Sequence, residues 1–177
     1  VVDTTLNELN VLRQGEIDFS QLNTQTKITD HEKETQALGE RLIKQNSDNL
    51  NDRAIIFALQ GELGSGKTQI AKGIGKGLEI KEIIKSPTYI LVREYPYSLD
   101  QLSGTFYHID AWRMESPEEL KELGIKNKLK PGNVIAVEWI QKGKEILNEL
   151  KQKEKVKIIY VELEYLSQTK RKIKFSH

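Results

Sequence analysis

The 177-residue sequence contains no cysteine, only one methionine and only four prolines. The absence of cysteine excludes disulfide bonds, thiolate metal sites and a cysteine nucleophile. No apolar run approaches the roughly 20 residues that a membrane-spanning helix needs. The first residues also lack the basic-then-apolar pattern of a secretory signal. We therefore expect a cytoplasmic protein that makes no membrane contact.

The two signs of charge are nearly balanced. The sequence has 27 Lys and Arg residues and 26 Asp and Glu residues, which gives a net charge of +1. A protein that binds the phosphate backbone of nucleic acid usually has more Lys and Arg than Asp and Glu. The balance favours a solvated surface over a membrane or polyanion binder. Hydrophobic residues make up 37% of the chain, enough for a core that buries roughly 70% of the unfolded surface.

The segment GELGSGKT, residues 61–68, follows an apolar run and precedes a helix-like run. Gly61, Gly66, Lys67 and Thr68 fill the phosphate-loop pattern G-x-x-x-x-G-K-[ST]. The glycines permit positive φ angles, so backbone N–H groups and the positive end of the next helix can face phosphate oxygens. Lys67 supplies an ammonium for the β- and γ-phosphates, and Thr68 offers a hydroxyl oxygen to Mg²⁺. The alternative, a glycine-rich turn with a chance lysine, is expected on the order of once in a few hundred sequences.

Two acidic residues stand at the ends of predicted strands. Glu138 ends the apolar strand VIAVE, and Asp110 ends the strand TFYHID. In an open α/β sheet, ligands bind at the carboxyl ends of the strands, so both acids can point at the phosphates. The alternative for each acid is that it caps the next helix or faces water. We predict that Lys67, Asp110 and Glu138 are catalytic and that Thr68 and Glu138 hold the metal.

Strand-like and helix-like segments alternate around the loop. The predicted strands are 53–60, 89–95, 105–110 and 134–138, and the predicted helices are 68–78, 116–124 and 140–153. Residues 96–104 are predicted to form a turn region, and 156–164 and 171–175 a terminal hairpin. The predicted fold is α/β, a P-loop NTPase-like three-layer sandwich with a mixed, mostly parallel central sheet and a C-terminal antiparallel hairpin.

Residues 1–28 are polar and rich in Asn, Gln and Thr. We interpret them as an N-terminal appendage of unknown role, followed by a P-loop ATPase domain over residues 29–177. The first helix of that domain is expected to begin with a capping box formed by Thr29 and Glu32.

Other candidate residues have simpler explanations. The glycines at 73, 75 and 77 follow no strand, so close helix packing explains them better than a second nucleotide fingerprint. His108 is expected to be a hydrogen-bonded core histidine. Arg113 is expected to form a surface ion pair, and residues 170–174 a solvated strand face.

Four motifs in order make the chain resemble the TsaE (YjeE) family of small bacterial P-loop ATPases. They are GELGSGKT, SPTYILVREY, YHIDAWR and VEW, within about residues 29–150. The resemblance implies ATP and Mg²⁺ as ligands and the TsaD and TsaB proteins as partners. In this family TsaD and TsaB form a complex that transfers a threonylcarbamoyl group to adenosine 37 of tRNA. Contact of this chain with tRNA is therefore expected only through that complex. Hydrolysis is expected to be slow in the isolated chain and stimulated by the partners.

The family pattern assigns roles residue by residue. Lys67 and Thr68 match its phosphate and Mg²⁺ residues, Glu138 matches its Walker B-type acid, and Asp110 matches the acid of its H-x-D-x-x-R motif. Residues 86–89 match a switch-like loop in which Thr88 can sense the γ-phosphate. The residues predicted to bind the cofactor are Gly61, Glu62, Leu63, Gly64, Ser65, Gly66, Lys67, Thr68, Gln69, Thr88 and Trp139. The chain departs from the usual pattern at Gln69 and at Ala111-Trp112.

Three other functions fit a phosphate loop. A small-molecule kinase acting on a nucleoside-type substrate would use the DAWR segment, but no arginine-rich lid follows residue 131. A GTPase would need an N-K-x-D signature, and Asn127-Lys128 has no Asp in register. A nucleotide-gated adaptor would keep its function after Glu138→Gln.

Overall fold

A computed structural model describes residues 2–3, 10–11, 22–99, 102–151 and 155–176. Strands β1 (Val2–Asp3) and β2 (Asn10–Val11) pair antiparallel in a small separate sheet. Residues 1, 4–9 and 12–21 lie outside the described ranges. Most of the predicted N-terminal appendage therefore lies outside them. No helix in the described ranges combines the length and the apolar composition needed to span a bilayer.

The rest of the fold is built on a seven-stranded sheet with the order β3-β9-β8-β4-β7-β6-β5. Its strands are β3 (Thr24–Thr29), β4 (Ala54–Gly61), β5 (Val92–Leu99), β6 (Leu102–Asp110), β7 (Val134–Glu138), β8 (Val156–Tyr165) and β9 (Arg171–Ser176). The four central strands, β8, β4, β7 and β6, run parallel. The outer pairings are antiparallel and include the predicted C-terminal hairpin of β8 and β9. The predicted α/β fold with a mixed sheet is therefore confirmed.

Helices cover both faces of the sheet and make the predicted three layers. They are α1 (Glu32–Asn46), α2 (Lys67–Gly77), α3 (Pro117–Glu122), α4 (Ile125–Lys128) and α5 (Lys144–Lys151), with 3₁₀ turns at Ser47–Asn51 and Ile140–Gly143. Leu38 of α1 and Ile74 of α2 belong to one hydrophobic cluster with Phe57 of β4. Leu120 of α3 and Ile146 of α5 belong to the cluster on the opposite face. The alternating side chains of buried strands supply both clusters.

Helices α1 and α2 approach closely because glycine lies at their contact. A Cβ atom on Gly73 would collide with the backbone carbonyl of Gln36, and one on Gly39 would collide with the carbonyl of Ile70. A Cβ on Gly77 would meet the side chain of Ile43. The interpretation of the glycine run as a helix-packing feature agrees with this contact.

The structure corrects the start of the first helix. The N-cap of α1 is His31, which makes no side-chain capping bond, so the predicted capping box of Thr29 and Glu32 is wrong. Thr29 is instead the last residue of β3, and its hydroxyl is hydrogen-bonded to that of Thr35 at 2.8 Å. The predicted boundary at residue 28 falls inside β3, whose pairing with β9 joins residues 24–28 to the sheet.

A second correction concerns the predicted turn at 96–104. The β5–β6 ladder continues without a break from Val92↔Ile109 to Leu99↔Leu102. Pro96 is tolerated because β5 is an edge strand. On its open side no neighbouring strand is present, so an N–H that is missing there costs no ladder hydrogen bond. The strand also begins later than predicted, since residues 88–90 form a turn.

Candidate functional site

A pocket of about 590 Å³ opens at the carboxyl ends of the parallel strands. The glycine-rich loop at 61–67 and the ends of β6 and β7 supply one wall. The first turn of α1, the 86–88 segment and the β8–β9 turn supply the others. Of the predicted site residues, it is lined by Leu63, Gly64, Gly66, Lys67, Thr68, Gln69, Thr88, Asp110, Glu138 and Trp139.

The loop conformation depends on its glycines. Gly61, Gly64 and Gly66 have φ angles of 147°, 75° and 103°, a region that residues with a Cβ rarely adopt. Gly66 is the N-cap of α2, so the positive end of that helix faces the pocket. Ser65 is buried, and its hydroxyl has no hydrogen-bond partner in the described part of the chain. These features make the loop suitable for an anion.

Lys67 is held inside the loop. Its ammonium donates hydrogen bonds to the carbonyl oxygens of Gly61 at 2.8 Å and Glu62 at 2.9 Å. It also lies 3.8 Å from the centre of the Trp139 ring, a cation–π distance. Burial lowers the pKa of Lys67 to about 8, although the nearby carboxylates of Glu138 and Asp110 act in the opposite direction. The Lys67 side-chain nitrogen is therefore buried within the loop, beside the pocket.

Thr68 and Glu138 meet at the centre of the site. The Thr68 hydroxyl donates a hydrogen bond of 2.8 Å to Oε1 of Glu138, which is only 4% exposed. The pairing of β4 with β7 sets Glu138 opposite Leu59, two residues before the loop begins. A hydroxyl and a carboxylate oxygen are ligands that suit a hard cation such as Mg²⁺.

Thr68 and Glu138 offer one hydroxyl and one carboxylate as possible metal ligands. No group of three or more His, Cys, Asp or Glu side chains that could hold a metal occurs among the residues described. Mg²⁺ usually keeps several waters and takes only one or two carboxylates, with substrate phosphates completing its shell. Thr68 and Glu138 fit that arrangement.

Asp110 lies beside Glu138 and connects to the 86–88 segment. The parallel register of β6 and β7 places Asp110 opposite Glu138. Its Oδ2 atom accepts a hydrogen bond from Thr88 at 2.7 Å, and its Oδ1 atom accepts one from the backbone N–H of Trp112 at 2.9 Å. The Thr88 hydroxyl is also 2.7 Å from that of Ser86. Asp110 therefore fixes Thr88 at the edge of the pocket.

Trp139 has a strained backbone directly after Glu138. Its φ angle is 61°, in the left-handed region that large side chains rarely occupy. The turn brings its ring over Lys67 and to 4.4 Å from the ring centre of Trp112. Such strain is often found at functional sites. Trp139 also borders a second cavity of about 540 Å³ behind the loop, which Gly61 and Glu62 line.

Two residues at the site have contacts that the sequence did not predict. His108 is a core histidine as expected, but its Nε2 atom lies 2.8 Å from Oε1 of Glu138. Arg171, predicted on a solvated face, donates a hydrogen bond of 3.0 Å to the Gly64 carbonyl. The signal for His108 was its position two residues before Asp110 on the same strand face. Arg171 had no comparable local signal.

Of the residues predicted to bind the cofactor, Gly61, Glu62 and Ser65 do not line the described pocket. Arg113 and Gln69 make contacts of other kinds. The guanidinium of Arg113 lies 5.1 Å from the Tyr89 ring centre and does not line the pocket in the described structure. Gln69 lines the pocket, but its amide oxygen accepts a hydrogen bond from Gln36 of α1 at 2.7 Å. Gln69 therefore also joins α2 to α1.

The parallel core, the glycine loop between β4 and α2, and the acid at the tip of β7 define a P-loop NTPase-like fold. The crystal structure of YdiB from Bacillus subtilis has a similar fold, with a TM-score of 0.55, 22% sequence identity and coverage of 88% of this chain and 86% of YdiB. The chain belongs to the TsaE family, because the family model described as threonylcarbamoyl adenosine biosynthesis protein TsaE matches residues 29–173.

Relatives named tRNA threonylcarbamoyladenosine biosynthesis protein TsaE agree with this assignment. The Rickettsia felis protein is 38% identical over 146 residues, which cover 81% of this chain and 75% of that protein. The Haemophilus influenzae protein is 38% identical over 99 residues, covering 55% of this chain and 60% of the relative. The Bacillus subtilis protein is 38% identical over 84 residues, covering 48% and 49%. The chain thus spans about half to three quarters of the length of these relatives.

Proposed function

We propose that this protein is a Mg²⁺-dependent ATPase that acts in forming N6-threonylcarbamoyladenosine at position 37 of tRNA. Its partners would be TsaD and TsaB, and it would reach tRNA only through their complex in the cytoplasm. Family membership supports the pathway, since both the family model and the relatives are named for it. The observation that carries the enzymatic part is the 2.8 Å contact between Thr68 and Glu138 beside a phosphate-binding loop.

The loop would bind the triphosphate through Lys67 and backbone N–H groups. The Lys67 ammonium, now shared between the carbonyls of Gly61 and Glu62, would turn towards the β- and γ-phosphates. The N-terminus of α2 adds its positive partial charge at the same place. Phosphoryl transfer to water depends mainly on such positioning and charge neutralisation.

Thr68 and Glu138 would hold Mg²⁺. The Thr68 hydrogen is directed to Glu138, so the lone pairs of the hydroxyl oxygen remain available to a cation. When bound, Mg²⁺ would neutralise charge on the phosphate oxygens. The same two side chains would therefore link the loop to the tip of β7.

Asp110 and Thr88 would act at the γ-phosphate end. Thr88 lines the pocket and is held by Asp110, so its hydroxyl can exchange that contact for one with the terminal phosphate. Asp110 would orient the attacking water or the shell of the metal. Of the arginines near the site, Arg113 stacks by Tyr89 and Arg171 is engaged by carbonyl oxygens. Hydrolysis is expected to be slow until a partner binds.

The test is ADP formation from ATP and Mg²⁺ by the protein alone, with the TsaD–TsaB complex, and with nucleosides. We expect slow turnover alone and faster turnover with the complex. If added nucleosides increase ADP formation and a phosphorylated nucleoside is produced, the protein is a kinase instead. Fast turnover independent of any partner would contradict the proposal.

Glu138→Gln separates an ATPase from an adaptor. The variant is expected to bind nucleotide but to lose ATP hydrolysis by about 100-fold or more, because several kcal/mol of charge stabilisation is lost. Reconstituted tRNA modification should fall with it. If modification persisted at the wild-type rate, nucleotide binding without hydrolysis would be sufficient and the protein would be an adaptor.

A further inference from the structure

His108 is a fully buried histidine whose two ring nitrogens both have partners. Its Nε2 atom lies 2.8 Å from Oε1 of Glu138, and its Nδ1 atom lies 3.2 Å from the carbonyl oxygen of Lys85. The ring stacks on Phe106, with 6.2 Å between centres and an angle of 13° between planes. A carboxylate accepts hydrogen bonds, so the hydrogen on Nε2 is donated to Glu138. The ring is therefore fixed in both position and plane.

The contact with Glu138 fixes the carboxylate that the proposed metal site uses. Oε1 of Glu138 accepts hydrogen bonds from Thr68 on α2 and from His108 on β6, each at 2.8 Å. Thr68 would itself be a metal ligand, so His108 is the partner that remains to orient the carboxylate. Residues that orient metal ligands in this way commonly change metal affinity or activity about 10- to 100-fold when altered.

The second contact connects His108 to the segment that carries Thr88. The Lys85 carbonyl faces Nδ1 of His108, and the Lys85 N–H donates a hydrogen bond of 3.1 Å to the Tyr95 hydroxyl. The Lys85 N–H is therefore held by Tyr95, and its carbonyl lies against His108, one residue before Ser86. Ser86 in turn contacts Thr88. One imidazole thus contacts the acid at the tip of β7 and the start of the 86–88 segment.

We propose that His108 is a positioning residue that sets the orientation of the Glu138 carboxylate towards Mg²⁺. This inference rests on the proposed function, since it assigns His108 to the same metal site. His108 does not line the described pocket, so it would act through Glu138. The separation of its two contacts allows each to be removed alone.

Two substitutions make a matched pair. His108→Gln places an amide near the position of Nε2 and retains a donor for Glu138, whereas His108→Asn places an amide near Nδ1 and retains only the contact to Lys85. Both bury an amide at the same position, so each is a control for the other in folding. Thermal unfolding of both variants confirms that they are compared in the folded state.

The readout is nucleotide binding without turnover. We expect Mg²⁺ to strengthen ADP binding to the wild type in isothermal titration calorimetry. In His108→Asn that gain should fall by about 10- to 100-fold, while ADP binding in EDTA stays unchanged. His108→Gln should remain within a few-fold of the wild type. Turnover of ATP should fall in His108→Asn through kcat more than through KM.

The positioning role would be overturned if both variants lost the Mg²⁺-dependent gain in ADP affinity equally, or if His108→Asn kept the full gain. The proposed function would still stand in either case, provided that Mg²⁺ strengthens ADP binding to the wild type. A wild type without any Mg²⁺ gain would remove both proposals. If neither variant folds, NMR of ¹⁵N-histidine in the wild type decides. The His108 Nε2 signal should shift when Mg²⁺ is added to the ADP complex, and Glu138→Gln should abolish the shift. An unmoved signal would contradict the inference.

Discussion

The hydroxyl of Thr88 donates a 2.7 Å hydrogen bond to the carboxylate of Asp110, 22 residues later in the chain. The bond connects a turn before β5 to the end of β6, the two antiparallel strands at one edge of the sheet. Both side chains line the pocket. The carboxylate of Asp110, a residue of the proposed catalytic set, thus adds a contact between β6 and a turn whose Thr88 also meets Ser86.

Thr88→Val tests whether this hydroxyl meets the γ-phosphate. The change keeps the shape and removes the donor. We expect affinity for a non-hydrolysable ATP analogue to fall by about 5- to 10-fold, the equivalent of one hydrogen bond of about 1 kcal/mol. Affinity for ADP should stay unchanged, because ADP lacks the γ-phosphate. Thr88→Ser retains the hydroxyl and serves as the control. Equal losses for ADP and the ATP analogue would show that Thr88 acts only on loop structure.

Nucleotide affinity is expected to depend on pH through Lys67. Burial holds the pKa of Lys67 at about 8 in the nucleotide-free protein, and bound phosphate would favour the charged ammonium. Above pH 8 the amine must take up a proton to bind, so affinity should fall by up to about 10-fold per pH unit. Below pH 8 this dependence should vanish.

Calorimetry of ADP binding between pH 7 and 9.5 measures this dependence, and buffers of different ionisation enthalpy count the proton taken up. Lys67→Arg is the control because a guanidinium stays charged throughout this range. A wild-type profile that is as flat as that of the arginine variant would contradict the assignment.

Arg171 is expected to support the loop from the C-terminal hairpin. Its guanidinium bonds the carbonyls of Gly64, Ser167 and Lys170 and lies 4.6 Å from the Tyr165 ring centre. Arg171→Ala should lower ADP affinity by about 5-fold, or about 1 kcal/mol, since the contacts are partly exposed. Lys172→Ala removes only an exposed ion pair with Glu164 and should leave ADP affinity within about 2-fold. Equal effects would mean that Arg171 does not act on the loop.

Two glycines of α2 should differ in their tolerance of alanine. A Cβ on Gly73 meets the Gln36 backbone, whereas one on Gly75 meets the Cγ1 and Cδ1 atoms of the Ile84 side chain. Gly73→Ala should therefore lower the free energy of unfolding by about 1–3 kcal/mol, despite the higher helix propensity of alanine. Gly75→Ala should cost less, since Ile84 can move. Urea denaturation measures both, and a larger loss in Gly75→Ala would contradict the close packing of α1 against α2.

The parts of the fold that the sequence predicted correctly depend on short-range patterns. The glycine-rich loop, α2 and the strand that ends at Glu138 each occupy fewer than about 15 consecutive residues, and their glycines and apolar runs act on neighbouring backbone. Two differences arose where a distant partner decides. Residues 24–28 are polar and were assigned to the appendage, but they pair with β9, and residues 96–99 look like a turn but pair with β6.

The sequence by itself determined that this chain has a glycine-rich loop between a strand and a helix and two acids at strand ends, because spacing and local backbone preference define those features. Only the tertiary structure decided which side chains meet. The contact between Thr68 and Glu138 joins residues 70 apart, and the contact of Arg171 with Gly64 joins residues 107 apart. Such contacts follow from strand order and register, which no local pattern encodes.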